Sequence, residues 1–299
     1  MNALLDLLRS GLSSGVSHCF GGAVIFGWTF NLPVTTPLIL SALLYGLGVA
    51  RLWRRAGMGR GATLLQVACF AAGWLTLAFA LVSPLHEASE TVFTAHMIEH
   101  ELIMAAAAPL LVLARPLAPM LWALPLARRR RLGRLPRLGW FSRLWQALTT
   151  PLIATAMHGL AIWLWHAPPL FDAALARPPV HWLQHFCFLF SALLFWWALF
   201  FSPASRRSYG PAIGHLFATA GHTGLLGLLL LLSRQIWFPM QGIGSLAWNL
   251  TPMEDQQLAG LVMWVPAGLI YAGAALALAG LWITASGRRK GGQHVFRAG

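Results

Sequence analysis

Charge is scarce in this chain. Of its 299 residues only 10% are charged, against about 25% in an ordinary soluble domain. That argues against a soluble globular protein. Acids are the scarcer sign, with eight Asp and Glu against 21 Lys and Arg. Lysine is almost missing: Lys290 stands alone beside twenty arginines. Cysteine is rare too. Cys19, Cys69 and Cys187 form no C-x-x-C pair, which excludes a disulfide scaffold and a cysteine-built metal site. There is no Walker A motif, no G-x-S-x-G, no kinase signature and no strand-borne G-x-G-x-x-G. Nucleotide chemistry and serine hydrolysis therefore have no support. No segment alternates with period two for long enough to cross a membrane as a strand. Short broken spans in matching halves, the mark of a secondary transporter, are absent as well.

What the chain has in excess is apolar sequence. Apolar residues make up 58% of it, and they fall in runs of about 20, the length of a bilayer-spanning helix. The pattern predicts an all-α polytopic membrane protein with seven transmembrane helices, over residues 35–53, 62–83, 93–114, 150–167, 181–202, 212–233 and 257–284. Three regions follow: an extracytoplasmic N-terminal segment over 1–30, a seven-helix membrane domain over 31–284, and a basic cytoplasmic tail over 285–299. In a soluble protein a net charge of +13 would suggest nucleic acid. Here the arginines sit in the loops between apolar runs, so the membrane accounts for them and no nucleic acid is expected.

The basic residues also orient the bundle. With the N-terminus outside, eighteen Lys and Arg face the cytoplasm and three, Arg9, Arg177 and Arg234, face out. The bias predicts an N-out, C-in protein of a bacterial inner membrane. Residues 3–12 read as an amphipathic helix on the outer leaflet; a cleaved signal peptide is the rival, weakened by Asp6 and by Arg9 following the apolar residues. Residues 116–126 are too short and proline-rich to span and are expected along the inner interface. The run Arg128 to Arg131 behind them suits anionic headgroups.

Histidine is the other excess, with eleven residues. Ionisable groups inside spans usually face a cavity or a partner. His96 and His100 lie four apart in the third span, and His181 and His185 lie four apart at the start of the fifth. Residues four apart share a helix face, so each pair can aim two imidazoles at one point. At about 1.5 Å per residue the two pairs have similar depth on the outer side. His86 and His166 end the second and fourth spans on that side. The six together are candidate ligands for a metal, or for a haem iron held by two histidines from different helices. Interhelical hydrogen bonding without a metal is the plainer alternative. Glu99 sits between His96 and His100 but points about 100° from His100, and is a candidate to orient an imidazole on a neighbouring helix. Asp255 is expected near the rim. Met97 and Met104 flank the His96/His100 face and Met263 lies in the seventh span; thioether with imidazole suits Cu(I), although packing is their commoner role. His158 and His222, near mid-bilayer, read as paired packing histidines. His96-Met-Ile-Glu-His100 lacks the Glu directly after the first His that a zinc protease requires.

Taken together, these segments resemble a known family. His96-Met97-x-x-His100 followed by Pro109-Leu-Leu-Val-Leu113 is similar to a segment of the CtaG family, the caa(3)-type cytochrome c oxidase assembly factors. So are Trp165-His166-Ala-Pro168 with Phe171-Asp172-Ala-Ala174, His181-x-x-Gln184-His185 with Phe195-Trp196-Trp197, and Asp255-Gln256-Gln257-Leu-Ala-Gly260 with Met263-Trp264-x-Pro266. The resemblance covers roughly residues 28–284 and leaves His18 and Cys19 without a counterpart. Glu99 and Glu101 make the first motif more acidic than the family's pattern. The resemblance implies a multi-pass protein, not an enzyme, that helps mature a haem–copper oxidase. Its partners would be oxidase subunits and its cargo copper, held by the histidine cluster. Neutral imidazole is the ligand form, so binding should weaken below about pH 6.5. A b-type haem protein and a metal-free scaffold for oxidase subunits are the alternatives.

Overall fold

Helix starts are written into local sequence. The Thr63 hydroxyl accepts from the Gln66 amide at 3.2 Å, and the Gln66 side chain accepts from the Thr63 amide at 2.9 Å. This reciprocal cap satisfies N–H groups that a first turn leaves free. Behind it runs the uncharged and mostly apolar helix Leu64–Val82. Proline does similar work at Pro151, Pro168 and Pro178, each in the first turn of its helix, where a missing N–H costs nothing.

A computed structural model describes residues 18–20, 23–25, 27–203, 205, 209–241 and 244–295. The amphipathic helix expected over 3–12 lies outside them. Apart from a short antiparallel pair, His18–Phe20 with Ala23–Ile25, the described fold is helical. Among the described residues, six helices are long and apolar enough to cross a membrane. They are α1 (Leu32–Ala56), α2 (Leu64–Val82), α4 (Phe93–Ala114), α10 (Pro178–Phe201), α11 (Gly210–Leu232) and the Pro252–Thr284 portion of α12 (Pro252–Val295). Shorter helices connect them: α3 (Pro84–Ser89), α5 (Leu117–Ala123), α6 (Leu126–Leu132), α7 (Gly139–Leu148), α8 (Pro151–Trp165) and α9 (Pro168–Ala176).

The fourth expected span, 150–167, is where the structure differs. Its helix α8 has 15 residues, about 22 Å, short of a hydrocarbon core of about 30 Å. It meets α7 at a bend of 64°, and only the bent pair taken as one span makes a seventh crossing. Pro151 is the cause. It drives the preceding residue out of the helical region, and Thr150 is extended at φ −67°, ψ 129°.

Burial is inverted relative to a soluble protein. Leu32, Leu269 and Leu276 are about 70% exposed, while His96, Glu99, Gln184 and Asp255 are 0% exposed. Such a chain keeps its polar groups inside and turns leucine to the lipid. Two close approaches shape the bundle. Gly227 and Gly260 let α11 and α12 touch backbone to backbone; a Cβ on either would come within 2.6 Å of the other's carbonyl oxygen, as small residues allow in membrane interfaces. Gly48 of α1 likewise admits α5, where a Cβ would stand 1.8 Å from the Pro119 oxygen. The segment expected at the interface is thus pinned to α1, and Arg51 donates to the carbonyl of Ala123. Arg129 stacks over Trp122 at 3.9 Å.

Helix α4 is not uniform. Leu102–Ala107 is π-helical, with the Ala108 amide donating to Ile103 five residues back. Pro109 follows at once and brings no donor of its own. Helix α4 ends at Arg115, which is left-handed at φ 48°.

Candidate metal centre

Ties from outside the helix hold α4 at its start. Val92, its N-cap, makes no side-chain cap bond. Asp255 of α12 does that work from across the bundle. Its carboxylate accepts from the amides of Phe93 at 2.8 Å and Thr94 at 2.9 Å, and from the Thr94 hydroxyl at 2.6 Å. Asp255 therefore holds the helix that carries His96, Glu99 and His100, rather than touching an imidazole itself. Gln241 adds a second tie. Its amide donates to the Ser89 carbonyl at 3.1 Å and lies 3.4 Å from His96 Nδ1.

The structure brings all six candidate histidines to one end of the bundle. Helix α3 delivers His86, α4 His96 and His100, the C-terminus of α8 His166, and the first turns of α10 His181 and His185. Their rings form one connected group. Centroids lie 4.2 Å apart for His96–His100, 4.3 Å for His181–His185, 5.4 Å for His96–His181, 5.6 Å for His86–His181 and His100–His185, and 6.1 Å for His100–His166. None of the six is more than 6% exposed. Phe171 and Phe188 pack on His96 and His100 at 4.9 and 4.6 Å, so the chamber has dry walls.

Glu99 is the anion of this chamber. Its Oε1 lies 2.7 Å from His86 Nδ1 and 3.7 Å from His185 Nε2. Among the described residues no Lys or Arg lies in salt-bridge reach of it. His86 sits outside the spanning helices. Burial favours its neutral form, but the Glu99 charge and hydrogen bond, with Glu90 and Glu87 behind them, outweigh burial and leave its pKa above the usual value. Glu87 itself accepts the amide of Gly27.

The unsatisfied atoms point the same way. His96 gives its Nδ1–H to the Ser89 carbonyl at 3.0 Å, and His166 gives its own to Ile162 at 2.7 Å. Each is left with a free Nε2. The Nε2 atoms of His96, His100, His166, His181 and His185, His100 Nδ1 and Glu99 Oε2 are buried without any hydrogen-bond partner. Native proteins rarely leave such groups orphaned, and a histidine that donates one nitrogen to a carbonyl presents the other as a metal ligand. In the triads His86/Glu99/His185 and His96/Glu99/His181 the ligand atoms lie within 4.8 Å of one another. Two bonds of about 2.0–2.1 Å to one ion hold ligand atoms within about 4 Å of each other, close to the spacing found here. The donor set therefore fits a metal ion.

Other candidates take other places. Met97, Met104 and Met263 belong to the apolar core. His158 bonds Ser191 through Nδ1 at 3.1 Å and stacks on Phe195 at 5.1 Å, with His222 close to the backbone of Gly159. Two residues near the chamber went unread in the sequence, Ser89 and Gln241, since loop closure alone brings them to His96. Gln184, read only as part of a family motif, has a buried amide with no partner.

A family model described as cytochrome c oxidase caa3 assembly factor (Caa3_CtaG) matches residues 43–285. The chain belongs to this family. No curated protein and no solved structure matches it. The Caa3_CtaG match takes in the six histidines, Glu99 and Asp255, so the whole chamber falls inside the matched length of chain. Membership makes this a cytochrome c oxidase assembly factor, which implies interaction with the oxidase. Its apolar helices make it a multi-pass membrane protein.

Proposed function

We propose that this Caa3_CtaG protein binds copper as cargo in the histidine chamber and passes it to the maturing haem–copper oxidase, without catalytic turnover. The observation that carries the reading is the set of orphaned Nε2 atoms around Glu99, a buried carboxyl with no Lys or Arg partner among the described residues. A bound cation would use those lone pairs and offset the buried carboxylate, which is otherwise costly in such a medium. Imidazole is a good ligand for copper. The eighteen-to-three distribution of basic residues supports a chamber at the outer face of a bacterial inner membrane, with the bent α7/α8 pair as a seventh crossing, the N-terminus out and the C-terminus in. The Arg128 to Arg131 run then meets anionic headgroups inside. Packing favours an ion over haem b. The six rings lie against one another, and a macrocycle would need a flat slot among them.

The test is oxidase activity and oxidase copper content in cells carrying His100→Ala with His185→Ala, the protein level being checked by blot. We expect oxidase to be lost at limiting copper and restored by added copper. Fully active, copper-replete oxidase at limiting copper would sink the cargo reading and leave a metal-free scaffold. Loss that copper cannot restore would shift the assignment to haem or to a structural role. A reporter at the C-terminus that is active only outside the cytoplasm should stay silent.

A further inference from the structure

The chamber offers more ligands than one ion can use. It gathers six imidazoles and the Glu99 carboxylate, whereas a metal ion in a closed protein site takes about four. One ion would leave other buried nitrogens as orphaned as before, which native proteins rarely tolerate. The positions divide in the same way. Among the described residues, the ligand atoms of His86, Glu99 and His185 lie within 4.8 Å of one another, and those of His96, Glu99 and His181 form a second such group. Each group takes one histidine from α10 and one from another helix, α3 or α4. Glu99 alone belongs to both. It also has an oxygen for each. Its Oε1 faces His86 and His185, at 2.7 and 3.7 Å. Its Oε2 is buried without a partner, as are the Nε2 atoms of His96 and His181. His100, with both nitrogens orphaned, stands between the groups, its ring 4.2 Å from that of His96 and 5.6 Å from that of His185.

We propose that the chamber binds two Cu(I) ions as a pair bridged by the Glu99 carboxylate, with His86 and His185 on one ion and His96 and His181 on the other. The pair rests on the copper reading above and adds to it the number of ions, their arrangement and their oxidation state. A carboxylate that gives one oxygen to each of two ions holds them about 3.5–4 Å apart. Charge decides the oxidation state. With Glu99 ionised, two Cu(I) ions leave one net positive charge among the bridged groups, and two Cu(II) ions leave three. Uncompensated charge is costly in a buried site, and no Lys or Arg has to be displaced from Glu99 to admit the ions. The ion on the first group takes the place of the proton between His86 Nδ1 and Glu99, as ligands release protons when a metal binds.

The experiment loads the untagged full-length protein, purified in detergent, with Cu(I) under argon, removes loose metal with a competing chelator, and counts copper per chain by elemental analysis. X-ray absorption then reads the copper–copper distance. We expect two coppers per chain and a copper neighbour at about 3.5–4 Å. One copper per chain would overturn the pair and leave the cargo reading standing; none would overturn both. Two coppers without a copper neighbour would overturn the bridge. His86→Asn with His185→Asn, and separately His96→Asn with His181→Asn, should each keep one copper and lose the copper–copper signal. Two coppers retained in either variant would put the second ion elsewhere and overturn the assignment. Should a variant fail to fold, the wild-type count and distance decide alone. Offered Cu(II) in place of Cu(I), the wild type should hold no more than one ion; two would overturn the cuprous state.

Discussion

The molecule buries histidines in two places, and only one of them is built like a metal site. At the chamber, carbonyls of Ser89 and Ile162 and the carboxylate of Glu99 engage Nδ1 atoms, leaving the ligand nitrogens facing inward. Deeper in the bundle, His158 is spent on Ser191 and on stacking with Phe195. It has no carboxylate among its contacts, and the nearby His222 has neither nitrogen satisfied. Burial is the same in kind at both. What separates them is the number of imidazoles that converge and the anion among them. A buried histidine alone says little; a buried histidine whose second nitrogen is already directed says much more.

Removing ligands should separate the two regions most. In the purified protein, Cu(I) titration should show roughly a hundredfold or greater loss of affinity for His100→Ala with His185→Ala, since each ligand carries a large share of a site's binding energy. His158→Phe with His222→Phe should change it less than about twofold. Comparable losses from both pairs would erase the distinction. Next comes the anion. Glu99→Gln keeps the shape and removes the charge, and should weaken copper about 10- to 100-fold, the usual range for a residue that orients and charges a site. Unchanged affinity would mean that the imidazoles alone define the chamber. The smallest effect belongs to the tie from α12. Asp255→Ala removes the cap on α4 and should cost about 0.5–2 kcal/mol of stability, read as a lower melting temperature in detergent, with copper still bound. A collapse of binding with no thermal change would make Asp255 part of the site.

Much of this arrangement could be read from residue spacing. The i, i+4 histidine pairs announce a shared face, and helix rise alone puts them at one depth. The runs of apolar residues mark the six spanning helices. The rest depends on terms that a linear pattern does not carry. Residues 150–167 have the composition of a span, yet Thr150 and Pro151 turn the chain there and leave a 15-residue helix. The role of Asp255 was out of reach because its partners, Phe93 and Thr94, are about 160 residues away.

The π-helical turn of α4 has a consequence for alignment. A turn of this kind holds one residue more than an α-turn, so it rotates everything after it by about 100°. Before it, Phe93–Glu101 must aim imidazoles at the chamber; after it, Ala108–Ala114 must seat on α2, where Gly73 lies close to Ala107 and Leu110. The turn works as a phase shifter between two halves with different mechanical demands. Deleting one alanine from Ala105 to Ala108 would remove the extra residue and let an ordinary α-turn join two halves that keep their faces. Drawing the full sequence into a regular α-helix would instead put the halves out of step, and one of them would face the wrong neighbours. The stretch of α4 with the least chemical information thus keeps the other two in register.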